Sequence, residues 1–576
     1  MLRPRALAPD GTEVAGFSFE GALSVVYEGA EPVDAGIRVE LELQPTDEPA
    51  WLVPGVFYGE NRPEHCTRIY PRYVPGALAV ERMEADAWSF RADRCATPAV
   101  FARGGGLRTS ETSPVGQSGV GFALRGDRPV VWLDFPYREE PLRYDGSETP
   151  APPDVQTYRW APGERLELDV RVCDGDRRRE LRRASGSEPL GPWVSVEDAA
   201  TLAAWGLWRW HYRPEPARLL ETVSFDREQP DDRDHMHVSW VSGVPYAYAL
   251  LRHGLRVGNA DYAEAGAAVL DHAAANLTPG GTFWSQWTAE RGWQWGWHPD
   301  HSRLHARTLA DAALFLGRAA ALRGSEPPSR ERRSLWAGAV RANLDVVCRT
   351  QREDGALPAA HHVETGDPVS WEGTAGLAWI PALVEAGRLD EARRAGAYFR
   401  GFEQWYGAPE DVDLAPTSED GYAAVMAFVA LEDWEAACRA ADWMLTFRYT
   451  YDVAFDPDTT LGRHRFRTRG GDQASPANQH LHAFGLVCLP EMARLADATG
   501  DGYYLGTTRE NLACFRQFVA RHDGDFGAMR GMTSERYYQT DVFAPKGGLL
   551  PLSHAWTGGL LLHACEAVLA DHPELL

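Results

Sequence analysis

The sequence predicts a chain of two parts: an antiparallel β-sandwich over residues 1–185 and, after a linker at 186–196, an (α/α)6 toroid over 197–576. Three observations lead there. Short runs with period-two alternation recur between turn residues and stop near residue 172. From Ser195 onward the apolar period becomes 3.6, in twelve stretches that fall into six pairs. The connections between those stretches alternate between short and long.

The strand-like runs cover 16–19, 23–27, 37–43, 88–91, 119–124, 130–133 and 166–172, a spacing that suits a sandwich. One segment, 57–64 followed by 70–73, is too polar and aromatic for a simple turn. It reads either as a surface loop or as a finger, led by Asn61 and Arg62, reaching toward the second part. The Arg-rich stretch at 174–189 reads as a connector with room for one short helix.

Helices are expected at 197–212, 239–253, 260–275, 302–322, 329–350, 371–386, 389–405, 418–431, 433–447, 476–498, 501–520 and 554–570. Every second one is apolar nearly all round, which places it inside. Each of these follows a long loop and precedes a short turn, so all of them start at the same end. Six inner helices ringed by six outer ones then gather the long loops at one mouth, where function concentrates.

The composition is globular, with 44% hydrophobic residues and 21 tryptophans. A formal net charge of -24 argues against nucleic acid and anionic membranes as partners. Lys546 is the lone lysine, and no GxxxxGK[ST] motif is present, so a Walker or Schiff-base lysine would have to be Lys546. The eight cysteines form no CxxC, and no metal site is expected apart from a weak calcium reading of Asp456 and Asp458. The run Asp231, Asp232, Asp234, His235 and His237 reads as a solvated cap more readily than as a ligand set. The N-terminus has no signal-like apolar core, and no run of about 18 apolar residues exists. A cytoplasmic protein without a cofactor is the expectation; the oligomeric state is left open.

In this architecture the chain resembles the six-hairpin glycosidase superfamily, in particular members with a β-sandwich before an (α/α)6 barrel. The resemblance lies in the order of elements and not in a signature motif. It implies an enzyme acting on glycosidic bonds through carboxylates at the barrel mouth. The same barrel also carries uronate lyases, with Tyr, His, Asn and Arg sites, and sugar epimerases with paired histidines.

Glycoside hydrolysis needs a protonated acid and a second carboxylate, about 5–5.5 Å apart for retention and about 6.5–9.5 Å for inversion. Glu372 heads one inner helix beside Trp371, whose indole is expected to desolvate it and raise its pKa. It is the expected general acid. Glu419 and Asp420 head the next inner helix, with Thr417 and Ser418 as caps, and are the expected partner or else first-turn residues complementing the helix dipole. Asp472, after Gly470-Gly471, is a reserve candidate or a turn residue.

Indole faces stack on sugar C–H faces. The tryptophan-rich loop 277–301, ending in Trp297, Asp300 and, just beyond, Arg303, therefore hints at carbohydrate, as do Trp240, Trp371 and Trp556 at inner-helix starts. His480 sits at the mouth as either a hydrogen-bonding or a catalytic residue. The alternating arginines of 463–469 are either a solvated face or a reader of sugar carboxylates. The resulting expectation is a glycoside hydrolase. Its rivals are a uronate lyase or epimerase using His480, Tyr70 or Tyr422 and the 463–469 arginines, and a non-catalytic carbohydrate-binding toroid.

Overall fold

The computed structural model describes residues 2–21, 24–146, 148–185, 193–227, 233–296, 298–323, 327–407 and 415–576. In the first part, Val33–Glu42 is the spine of a six-stranded antiparallel sheet. It pairs with Leu2–Leu7, Tyr158–Trp160 and Arg128–Phe135, and the last is continued by Gly119–Arg125 and Ala87–Arg91. A five-stranded antiparallel sheet runs Arg171–Cys173, Gly105–Arg108, Ala99–Ala102, Leu52–Val53 and Phe57–Tyr58. The two sheets share a core containing Val39, Val120, Leu133, Trp51, Phe57 and Val100. Polar side chains buried on the large sheet are charge-paired: Arg38 makes a bidentate contact with Asp134 at 2.7 and 2.9 Å and stacks over Trp132. Burial of a charge requires such pairing.

The connector holds one helix, Arg177–Ala184, capped by Asp176 and pinned through Arg178 and Arg182 to Asp501. Most of the expected linker lies outside the described residues.

Six pairs of helices follow. The outer members are Val196–Gly206, Ala260–Ala274, Arg330–Thr350, Leu389–Phe399, Trp434–Met444 and Gly502–Arg516. The inner members are Val244–Val257, Ala306–Ala321, Trp379–Glu385, Ser418–Ala430, Leu489–Thr499 and Ala555–Ala570. Each inner helix packs on the next, and the last returns to the first, closing the ring. Ala555–Ala570 is buried on all sides over most of its length, as its apolar sequence requires. Gly559 is needed there: a Cβ would fall 2.3 Å from the Tyr246 ring of the adjoining first inner helix.

Four inner helices start later than the sequence suggests: the expected 239–253 begins at Val244 and the expected 302–322 at Ala306, and two more are delayed by a 3-10 turn. The expected 371–386 helix begins with a 3-10 turn at Ala375–Ala378, and the expected 476–498 helix with one at Phe484–Cys488. In both cases the preceding residues are held extended by strand pairing, Pro368–Ser370 with Ala360–His362 and Leu481–His482 with Asp472–Gln473. Gly373, at φ 79°, then makes the turn in the first case.

These short strands belong to a rim at the mouth. Thr222–Ser224 pairs with Leu552–His554, His235–His237 with Gln286–Thr288, and Arg303–His305 with Ala360–His362. Among the described residues, no helix is long and apolar enough to cross a membrane.

Candidate active site

Rim strands end in histidine four times ahead of an inner helix, directly so at His305 and His554 and with an intervening turn at His237 and His482. Side chains alternate along a strand, and His482 and His554 face the barrel mouth together with the nearby inner-helix starts, whereas His237 and His305 stay outside the lining. The result is a cavity of about 530 Å3 at the inner N-termini, lined among others by Glu221, Arg233, Trp240, Glu419, His480, His482, Glu535, His554 and Trp556. Its floor is aromatic. Trp556 stacks on Phe484 with centroids 4.3 Å apart, and Trp240 lies 6.0 Å from Phe484.

The histidines are neutral at ordinary pH because they are buried. Burial pushes His482 down to about 3 and His480 well below the usual imidazole range, the latter with help from the positive charge of Arg536. His237, beside Trp240, is brought to about 3 by burial and by Arg307. The backbone N–H of Phe484 donates to His482 Nδ1 at 3.3 Å, which fixes the proton on Nε2. His554 is lowered by burial, but Glu535 works in the opposite direction, its Oε2 3.2 Å from His554 Nε2. Burial alone would raise the Glu535 carboxyl; His554, Arg536, His482 and Arg233 together bring it below the usual carboxylate range. Glu221 goes the other way, raised by burial with Arg233 opposing.

Charges in and around the cavity are matched. Arg233 is 2.9 Å from Glu221, Arg536 is 3.5 Å from Glu535, and Arg307 pairs with Glu419 while spanning Trp240 and Phe484.

Of the residues singled out in the sequence, Trp240, Glu419, His480 and Trp556 meet in this cavity. Asp420 does not enter it: it closes a capping box with Thr417, accepting from Thr417 N at 3.0 Å and Oγ1 at 2.8 Å. Asp472 is fully buried against Arg448 and Asn511. The turn of Gly485 packs onto it so closely that a Cβ would sit 2.0 Å from Oδ2.

Glu372 stands elsewhere. Trp371 does not desolvate it: the carboxylate side chain is 59% exposed and 3.6 Å from His65, because the strand turn, and not the helix, carries it. It lines a shallower pocket of about 260 Å3 with Asn61, Arg62, Gln404 and Tyr406. There Asn61 and Arg62 shape the finger loop itself, donating to the carbonyls of Pro71 and Tyr70 at 2.9 and 2.8 Å. Trp371 is half-buried under Arg352. Asp300 is exposed and caps Ser302, and Arg303 reaches His298 at 3.4 Å. Trp297, Asp231 and Asp232 lie outside the described residues. Tyr70 is buried among the sheets and Tyr422 in the barrel core. None of the 463–469 arginines lines the cavity. Asp456 accepts from Asp458 N in an exposed turn. Among the described residues no group of three or more His, Cys, Asp or Glu gathers as a metal site.

The sequence reading passed over Glu221, Arg233, Arg307, Glu535, Arg536, His482 and His554. Two signals were available. Arg307 is one of three charged residues, with Asp311 and Arg318, on a largely apolar inner helix, and a histidine ends the rim strand ahead of four inner helices. Glu221, Arg233 and Glu535 carry no such mark.

No family model and no curated protein matches the chain. Solved structures do resemble it. A D-mannose isomerase aligns at 12% identity over 65% of this chain and 97% of its own, with a TM-score of 0.44. A polysaccharide lyase aligns at 11% over 98% and 89%, with a TM-score of 0.45. A family 76 glycoside hydrolase from a bovine Bacteroides thetaiotaomicron strain aligns at 10% over 81% and 99%, with a TM-score of 0.43. At these identities and TM-scores no single family is picked out.

Proposed function

We propose that this chain is a carbohydrate-active enzyme, on a frame read as a β-sandwich joined to an (α/α)6 toroid, and that it moves a proton on a sugar as an isomerase or epimerase does. The observation that carries this reading is the Glu535–His554 pair in an aromatic-floored cavity otherwise supplied with neutral histidines. In an open-chain aldose the hydrogen on the carbon next to the carbonyl is acidic. The pair holds one proton and has room for a second: once protonated, His554 donates from Nε2 to Glu535 and from Nδ1 to the carbonyl of Leu552, 3.3 Å away. His482, with its proton fixed on Nε2, donates to the sugar carbonyl and stabilises the enediol that forms. Delivery of a proton to the opposite face by a second cavity group, the pair keeping the one it took, gives the epimer, and return of that proton by the pair to the neighbouring carbon gives the ketose. Trp240, Phe484 and Trp556 stack on the sugar.

The charge matching supports a neutral sugar over a uronate, since each cavity arginine already faces a carboxylate. The test is to incubate the protein with neutral aldoses in D2O and follow deuterium incorporation and product by NMR. A complete panel with neither deuterium uptake nor a new sugar refutes the reading.

One observation favours hydrolysis as a second reading. Glu221 is raised and Glu535 lowered within one cavity, and a pair of carboxylates with separated acidities is what glycoside cleavage uses. Release of reducing ends from aryl glycosides or oligosaccharides, with no deuterium at carbon, would select it. An unsaturated product absorbing in the ultraviolet would select a lyase, and sugar binding without turnover a binding protein.

A further inference from the structure

Residues 534–554 form an irregular hairpin, bridged at Ser534–Ser553 and Tyr537–Leu549. Its base supplies Glu535, Arg536, Leu550, Leu552 and His554 to the cavity. Its tip leaves the barrel and enters the β-domain. Asp541 accepts from Arg91 Nη1 at 3.0 Å and Nη2 at 2.5 Å, and Lys546 donates to Asp93 at 2.9 Å. Val542 is part of the β-domain core, and Phe543 packs over Gly146, where a Cβ would fall 2.7 Å from the ring.

The segment 472–482, which carries His480 and His482, is held from the same side. Gln473 Nε2 donates to the carbonyl of Gly55 at 2.8 Å, Tyr144 OH to that of Ala477 at 2.6 Å, and Arg68 Nη1 to Asn478 Oδ1 at 2.8 Å. The Asn478 carbonyl in turn accepts from the backbone N–H of His480 at 3.0 Å. The two segments are tied to each other by Gln539 Nε2 to Gln473 Oε1 at 2.6 Å and by Leu481 N to Tyr537 O at 3.1 Å.

We propose that the β-domain is a positioning element of the cavity, holding through Arg91 and Arg68 the two segments that carry His480, His482, Glu535 and His554. Arg91 and Arg68 do not line the cavity and act only through the residues they hold. The proposal rests on the cavity being the functional site, whatever reaction runs there. Positioned groups lose catalytic power when displaced by about 1 Å, so slack in these segments should reach turnover without reaching the rest of the barrel.

The test uses the full chain with Asp541→Asn, Arg68→Met and both together. Neither change strands a buried charge, because Arg91 keeps Asp93 at 3.2 Å and Glu148, the other partner of Arg68, is 39% exposed. Arg159→Ala, which removes an exposed pair with Asp34, is the control. Hydrogen exchange by mass spectrometry is expected to quicken at least tenfold in peptides covering 476–482 and 534–541 of the double variant, with peptides 244–257 and 306–321 unchanged. kcat is expected to fall at least tenfold with KM within twofold. Unchanged exchange in both segments, exchange rising evenly through the barrel, or full kcat despite faster exchange would each overturn the proposal. If the wild type turns over no sugar, the reading of the reaction falls, and the exchange data alone decide whether the β-domain holds the segments.

Discussion

Nε2 of His554 stands 3.2 Å from Oε2 of Glu535, and both groups line the mouth cavity. Removing either should remove the proton acceptor. Glu535→Gln and His554→Asn are each expected to lower kcat by about 10^3 with the far-ultraviolet spectrum unchanged, in line with the size of general base effects. The wild-type pH profile follows from the sign of the shift. Burial sets His554 below its ordinary value of 6.5, so the acid limb of kcat/KM should lie below that pH and activity should be level above it. A limb centred above pH 7 would count against the assignment.

Glu372 should be dispensable for chemistry. Its side chain is 59% exposed and it faces His65 across a separate shallow pocket. Glu372→Gln is expected to keep kcat within twofold of wild type in the same steady-state assay.

Arg307 and Glu419 form an ion pair at the cavity floor in which both side chains are about nine-tenths buried or more. Removing one partner of such a pair leaves a buried charge and costs about 3–5 kcal/mol. Arg307→Met strands both Glu419 and the largely buried Asp311, which lies 3.4 Å from Arg307, and should lower the urea midpoint markedly. The Arg307→Met/Glu419→Met double variant should recover part of that loss, the remainder belonging to Asp311, and a double-mutant cycle measures the share.

The buried histidines make the fold acid-labile. His237, His305, His482 and His563 are each brought by burial to about 3 from 6.5. With folded values below the unfolded one, the unfolded state binds the extra protons first. The stability they contribute is therefore complete above about pH 6.5 and is lost as pH falls toward about 3. Each fully protonated site is worth on the order of 5 kcal/mol at most. Thermal midpoints measured from pH 7 to 4 should fall steadily; a flat profile would mean that these imidazoles are hydrated.

The ring of paired helices was legible because it rests on periodicity and loop length, which a chain displays openly. The helix starts were not. Local pattern cannot tell that Leu481–His482 pairs with Asp472–Gln473, so periodicity alone gives the mouth residues to helix turns when several belong to strand ends. Glu372 and Asp472 were attractive for their neighbours in sequence, yet one is solvated and the other neutralised by Arg448, which lies 24 residues away. Trp240, His480 and Trp556 could be placed because they sit at inner-helix starts or beside them. Glu535 could not, because its position depends on a hairpin whose tip is anchored among the N-terminal sheets.

Lys546 sits at that anchor, 2.9 Å from Asp93, with its side chain one quarter exposed. As the chain has no other lysine, an amine-directed dye or crosslinker can meet only this side chain and the α-amino group. Nature has thus left a single chemical address at the junction of the two halves, where a label would report on their separation without any engineered cysteine.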